Sequence, residues 1–484
     1  MALSYAVSSQ TVLEASVIDH THSEKDTRTS QVAGAINTQL VSVTIRIPSI
    51  DGLSFLRHAP VGTRRIYWEN DRLEWRYAGF GVAAEVTATG AGRFADIKAQ
   101  IKALFTNAYC ASSPETPNEA LPRVFGGFAF QPGSQQMAAR SIWKDFPDAS
   151  FFLPQVMLAA RGQDAWLTVT TRAYAEDATV IEQLRRSASE LAACLEQDQP
   201  EIASPAPDLS AFNYPLTRDR WHAEISEATG RIRDGDLDKV VLARICDLGF
   251  DQPIEPLAAL YQLKQRYAET YRFMLELQPN RFFFGATPEL LAETHGSLLS
   301  TAAVAGSIRR GDNHEDDGRM AAQLFQSAKE RHEHQLVAMA IEDALLPLTT
   351  KLNVPDSPEI LKLSNIQHLY TPINATLKET CTLLDAVEKL HPTPAVGGYP
   401  RQTAVDLICE VEQFSRGWYA SPVGWIDAQG DGMFAVALRS AVVDESQARL
   451  YAGVGIVADS DPDREWDETN LKFRPILNAF GIEA

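Results

Sequence analysis

A chain of 484 residues, 45% hydrophobic and 22% charged, is long enough for one large domain or two to three ordinary ones and has the balance of a globular protein. Its net charge of −19 argues against a nucleic-acid binder, so an anionic substrate must be caught by local positive groups or a metal. The five cysteines, Cys110, Cys194, Cys246, Cys381 and Cys409, form no CxxC pair, which predicts reduced thiols in a cytoplasmic protein. No apolar run approaches the ~18–20 residues of a membrane span, and the N-terminus lacks the basic and apolar regions of a secretory signal.

Residues 1–38, rich in Ser, Thr, His and Asp, read as a mobile tail. Residues 39–200 read mainly as strands, with hairpins expected around Asn70-Asp71 and Gly162 and a helix over 176–197. The polar, proline-bearing stretch 196–210 marks a linker or long surface connection. Residues 211–484 are more legible. Trp221, Ile225, Ala228 and Ile232 fall at helical spacing between a capping Thr217 and Gly235. "KVVLAR" (239–244) follows as a strand, then one long helix over 314–346, a shorter one over about 402–415, and three closing strands, 418–427, 433–443 and 448–458. The fold class expected is α+β, with helices packed on antiparallel strands.

"YAGVGIVADSDPDREWDETNLK" (451–472) resembles a dinucleotide loop in its glycines. Too few residues follow for the βαβ unit that loop requires, and its acids would repel phosphate. Gly453 and Gly455 are then either a tight packing contact or a place where a ligand approaches the backbone.

Glu465 and Glu468, like Glu330 and Glu333, are three residues apart, which puts each pair on one helix face. Such pairs are commonly solvated. The face of Glu330 and Glu333 continues into Val337, Ala340 and Ala344, however, and an inward acid needs compensation. A hard divalent cation such as Mg²⁺ is the natural counter-ion if both pairs share a cavity. "HEHQL" is not a zinc-binding HExxH, because Leu336 stands four after His332.

Three further residues sit beside apolar runs. Lys239 opens "KVVLAR"; it either snorkels to solvent or, in a closed cavity, serves as a base. Glu289 in "RFFFGATPELL" is either a first-turn helix residue behind Thr-Pro or a desolvated carboxyl able to donate a proton. Arg439 shares its strand face with Ala435, Ala437 and Ala441, which leaves room for a guanidinium to grip a carboxylate; the alternative is a surface arginine on an edge strand.

Taken in order, "DKVVLAR", "FFFGATPELL", "AVAGSIRRG", "SAKERHEHQLV", "LSNIQHLYTPI", "LHPTPAVGGYPR", "RGWYASPVGW", "MFAVALRSA" and the 451–472 stretch resemble the chorismate-utilising enzymes, the family of anthranilate synthase component I. The match runs from about residue 215 to the C-terminus, and 39–200 resembles the variable N-terminal part of one large chorismate-binding fold. The resemblance implies that Glu333 and Glu468 hold Mg²⁺, with Glu330 and Glu465 acting directly or through water. The metal binds the ring carboxylate of chorismate, and Tyr419 and Arg439 grip the enolpyruvyl carboxylate. Gly453 and Gly455 close over the substrate, and Ser307, His368 and Lys472 line the site.

Within the family, Lys239 matches the base that activates water for attack at C2, and Glu289 matches the acid that protonates the departing C4 hydroxyl. Ala305 stands where aminodeoxychorismate synthases often carry a nucleophilic lysine. Ala395 stands where salicylate synthases tend to have threonine. Together these imply an isochorismate synthase, with no glutaminase subunit and no membrane or nucleic-acid partner. A salicylate synthase is the nearest alternative, and a non-catalytic chorismate- or cation-binding relative is the alternative from another class. Menaquinone, siderophore and salicylate routes stay equally open for the product.

Overall fold

The computed structural model describes residues 38–133, 142–173, 178–197, 207–362 and 366–483. The expected tail and most of the expected linker therefore lie outside the described residues. Two large sheets of 13 and 10 strands carry the fold. Their pairings are antiparallel except for Val41–Val43 against Tyr109–Ala111. The larger sheet joins both halves of the chain, since the strand Arg65–Glu69 pairs with Tyr271–Gln278. Residues 39–200 thus extend the same fold.

One core cluster takes side chains from both sheets, including Phe125, Phe151 and Phe434 from the smaller and Trp68, Phe273 and Phe283 from the larger. A second packs the outer face of the larger sheet against helices, through Leu191, Leu260, Phe473 and Ile476. The run Phe282-Phe283-Phe284 serves both. Strand alternation sends Phe283 to the first cluster and its neighbours to the second. Each ring so buried contributes roughly 1.5–3 kcal/mol relative to exposure.

Both expected hairpins form, Arg65–Glu69 with Trp75–Phe80 and Val156–Arg161 with Asp164–Ala173. Thr217 caps the helix Arg218–Arg233 by accepting from the Arg220 amide. Other expectations need correction. The single helix over 314–346 is two, His314–Gln326 and Ala328–Leu345. Ser327 divides them because its backbone is extended (ψ 113°) and its hydroxyl accepts from the Glu330 amide, starting a new helix. The helix expected over 402–415 ends at Val411. The strand expected over 433–443 breaks into Gly432–Val436, in the smaller sheet, and Ser440–Asp444, in the larger.

Candidate active site

The broken strand has a partner that breaks beside it. Strand Arg281–Thr287 belongs to the larger sheet and its continuation Leu290–His295 to the smaller. Gly285 pairs with Ser440 before the break, and Leu290 pairs with Ala435 after it. Two chain segments therefore cross from sheet to sheet side by side, one through Pro288-Glu289 and the other through Ala437-Leu438-Arg439. Glu289 is not in a helix, and Arg439 is not on a continuous strand. Arg439 has φ +48°, a left-handed conformation unusual for a non-glycine residue. That turn defeats strand alternation, so Leu438 and Arg439 both line one cavity of about 160 Å³ together with Glu289.

Strand Lys239–Phe250 forms a second wall, antiparallel to Gln447–Ile456, with Val241 opposite Gly455 and Ala243 opposite Gly453. The glycines make room for side chains. A Cβ at 455 would stand 2.7 Å from Lys239 Cε, and one at 453 would stand 2.9 Å from the Tyr419 hydroxyl. Lys239 is 2% exposed, and its Nζ donates to Glu333 Oε1 at 2.6 Å.

The remaining wall comes from the helices Ala328–Leu345 and Pro462–Ala479. Asp461 caps the latter by accepting from the Arg464 amide, which gives one of the clustered aspartates a structural task. The first helix supplies Glu330 and Glu333, the second Glu465, Glu468 and Lys472. Lys472 Nζ bridges Glu468 at 2.6 Å and the Gly453 carbonyl at 2.9 Å.

Charge in the cavity is strongly coupled. Burial, partly offset by the positive charges of Lys239, Arg439 and Lys472, lifts the Glu289 carboxyl to about 7. Burial and the nearby charge of Glu468 lift Glu465 to about 7 as well. Burial and Glu333 likewise raise Glu330. Burial opposes ionisation of Glu333 and Glu468 too, but the adjacent Lys239 and Lys472 hold these two carboxyls below the ordinary value.

Among the described residues no three acid or imidazole groups already converge at ligand spacing. The donor set nevertheless suits a hard cation: four carboxylates, two already holding ammonium groups and two raised in part by like charge, a repulsion that a divalent ion relieves.

The Ser307 hydroxyl lies 2.8 Å from His368 Nδ1, and burial lowers the imidazole to about 4, which keeps it neutral. Ala395 and Ala305 also line the cavity. Of the residues given a place at the site from the sequence, all but Tyr419 meet there. Tyr419 lies behind the Gly453 wall, buried and stacked on Tyr451 at 4.9 Å. Lys329, Leu438 and Val304 line the cavity without having been anticipated. Lys329 directly precedes Glu330 and was available from that adjacency, whereas Leu438 was hidden by the unforeseen turn at Arg439.

A sequence profile described as chorismate binding enzyme matches residues 27–481. Isochorismate synthase MenF of Bacillus subtilis is 36% identical over 452 residues, 92% of this chain and 94% of that protein. The salicylate biosynthesis isochorismate synthase of Pseudomonas aeruginosa is 36% identical over 454 residues, 91% of each chain. MenF, the menaquinone-specific isochorismate synthase from Escherichia coli, matches in structure with a TM-score of 0.76 at 26% identity, covering 92% of this chain and 95% of its own. Anthranilate synthase component I from Streptococcus pneumoniae shares the fold, with a TM-score of 0.66 at 19% identity over 93% and 95% of the two chains. With the profile spanning nearly its whole length and the relatives matching end to end, the chain belongs to the chorismate binding enzyme family.

Proposed function

We propose that this protein is a Mg²⁺-dependent isochorismate synthase of the cytoplasm, working without a glutaminase subunit. The observation that carries this reading is the pairing, on one cavity, of a buried lysine with a buried carboxyl lifted by burial to about 7, so that a large share of it stays protonated near neutral pH. Adding water at C2 and expelling hydroxide from C4 needs one group to take a proton and another to give one.

In this mechanism the Lys239 ammonium leaves its pairing with Glu333 and first gives up a proton to solvent. The free amine then accepts a proton from water, whose oxygen bonds to C2 of chorismate. The ring double bonds shift, the C4–O bond breaks, and Glu289 protonates the departing oxygen. Arg439 grips the enolpyruvyl carboxylate, the Tyr419 hydroxyl supports it past Gly453, where no Cβ intervenes, and Ser307 and His368 stand beside the ring. Magnesium, held by Glu333 and Glu468 with Glu330 and Glu465 in support, would supply the positive charge that grips the ring carboxylate. Much of the rate enhancement then comes from orientation and fixed charge. Ala305 and Ala395 add no nucleophile and no hydroxyl, which favours release at the isochorismate stage.

The test is to incubate purified protein with chorismate and Mg²⁺, with and without EDTA, and to chromatograph the products. Isochorismate that vanishes with EDTA and returns with excess Mg²⁺ is the expected result. Salicylate with pyruvate would identify a salicylate synthase instead. Anthranilate on adding ammonia would identify an ammonia-using synthase, and no turnover would leave a binding role.

A further inference from the structure

The two sheet crossings are tied together by a side chain that does not itself line the cavity. Thr287 is 0% exposed. Its hydroxyl donates to the Val436 carbonyl at 2.6 Å and accepts from the Glu289 amide at 3.3 Å. A hydroxyl has one hydrogen and two lone pairs, so both bonds form at once. Between Thr287 and Glu289 stands Pro288, which has no N–H, so the Glu289 amide is the first donor beyond the crossing. Backbone rungs flank the bridge on both sides. The Ala286 amide donates to the Arg439 carbonyl and the Val436 amide to the Glu289 carbonyl, each at 3.0 Å. One hydroxyl therefore joins the segment carrying Glu289 to the segment carrying Leu438 and Arg439, at the point where Arg439 is held at φ +48°.

We propose that Thr287 is a positioning residue whose hydroxyl fixes the Glu289 carboxyl relative to Arg439, and so the proton donor relative to the hydroxyl that leaves. This rests on reading Glu289 as the general acid. Thr287 acts only through Glu289 and Arg439. A buried amide left without its acceptor will seek another partner, and the short turn bearing the carboxyl moves with it. Misplacement of a catalytic group by about 1 Å can cost on the order of a hundred-fold in rate.

The experiment compares T287V, T287S and E289Q in kcat, KM, pH profile and melting temperature. Valine keeps the shape of threonine but makes neither bond; serine keeps both bonds and loses the methyl group. T287V is expected to lower kcat by about 10–100-fold with little change in KM. Its high-pH limb should move to lower pH, because burial is the main cause of the high Glu289 value. T287S is expected to restore kcat and the limb even where its melting temperature is no higher than that of T287V. A general loss of packing would instead make activity follow stability, with serine as poor as valine, and that would overturn the proposal. T287V with unaltered kcat and pH profile beside an inactive E289Q would overturn it while leaving the acid assignment standing. An active E289Q would remove the underlying reading. Should T287V not fold, T287S against T287A makes the same comparison with and without the hydroxyl.

Discussion

Glu289 and Lys239 carry the chemistry in this account, and each is specified by its surroundings more than by its own type. Glu289→Gln should lower turnover by about 10²–10⁴-fold, the usual contribution of a positioned acid, with an unchanged circular dichroism spectrum. Lys239→Ala should do the same. For the unsubstituted protein, the group that must be protonated is the one burial lifts to about 7. The limb set by Glu289 should therefore fall as pH rises through that value, which a pH–rate profile at saturating substrate checks directly. A limb two units lower would mean that Glu289 is not desolvated during turnover. At this scale the sequence was informative: Lys239 beside four apolar residues and Glu289 after three phenylalanines were both ambiguous alone, the order of the surrounding motifs favoured a cavity-facing place for each, and both side chains line the cavity.

At the scale of elements, the two glycines in Gln447–Ile456 are required by what crosses the neighbouring strand. Gly455→Ala would put a methyl carbon 2.7 Å from Lys239 Cε and 3.3 Å from Glu333 Oε1. It should lower kcat/KM by at least about ten-fold through displaced Lys239, with a melting temperature near that of the unsubstituted chain; equal activity would show that Lys239 need not sit there. Ser327→Ala removes the cap that starts the helix of Glu330 and Glu333, and should cost about 1 kcal/mol in a denaturant titration. The helix break at Ser327 was obscured because both helices are polar on one face and apolar on the other. The sheet crossings were hidden for a related reason. "FAVALRSAVV" is apolar enough to read as one continuous strand and Thr-Pro-Glu in "GATPELL" reads as a helix start, and only long-range pairing with different sheets reveals the crossings at Glu289 and Arg439.

Across the whole molecule, the cavity walls are braced by a buried ion pair. Arg416 bonds to Glu412 at 2.5 Å and 2.8 Å, to the Val241 carbonyl at 2.7 Å and to the Val396 carbonyl at 2.9 Å. Glu412 accepts from the Ala243 amide at 2.8 Å. The pair thus ties the strand of Lys239 to the segment of Ala395. Arg416→Met would leave Glu412 buried without its counter-charge and should destabilise the fold by about 3–5 kcal/mol, read as a lower denaturant midpoint. The antiparallel α+β class and the joining of both halves into one fold were legible from the alternating strands and the run of motifs. The brace was not, because "EQFSR" carries no pattern that separates a buried pair from a surface one. The central claim, water attack at C2 with loss of the C4 hydroxyl, is tested most directly by running the reaction in water enriched with heavy oxygen and locating the label by mass spectrometry and NMR. The account predicts isochorismate with a single solvent oxygen, in its C2 hydroxyl. Isochorismate free of label would contradict it, because the hydroxyl would then have migrated within the substrate.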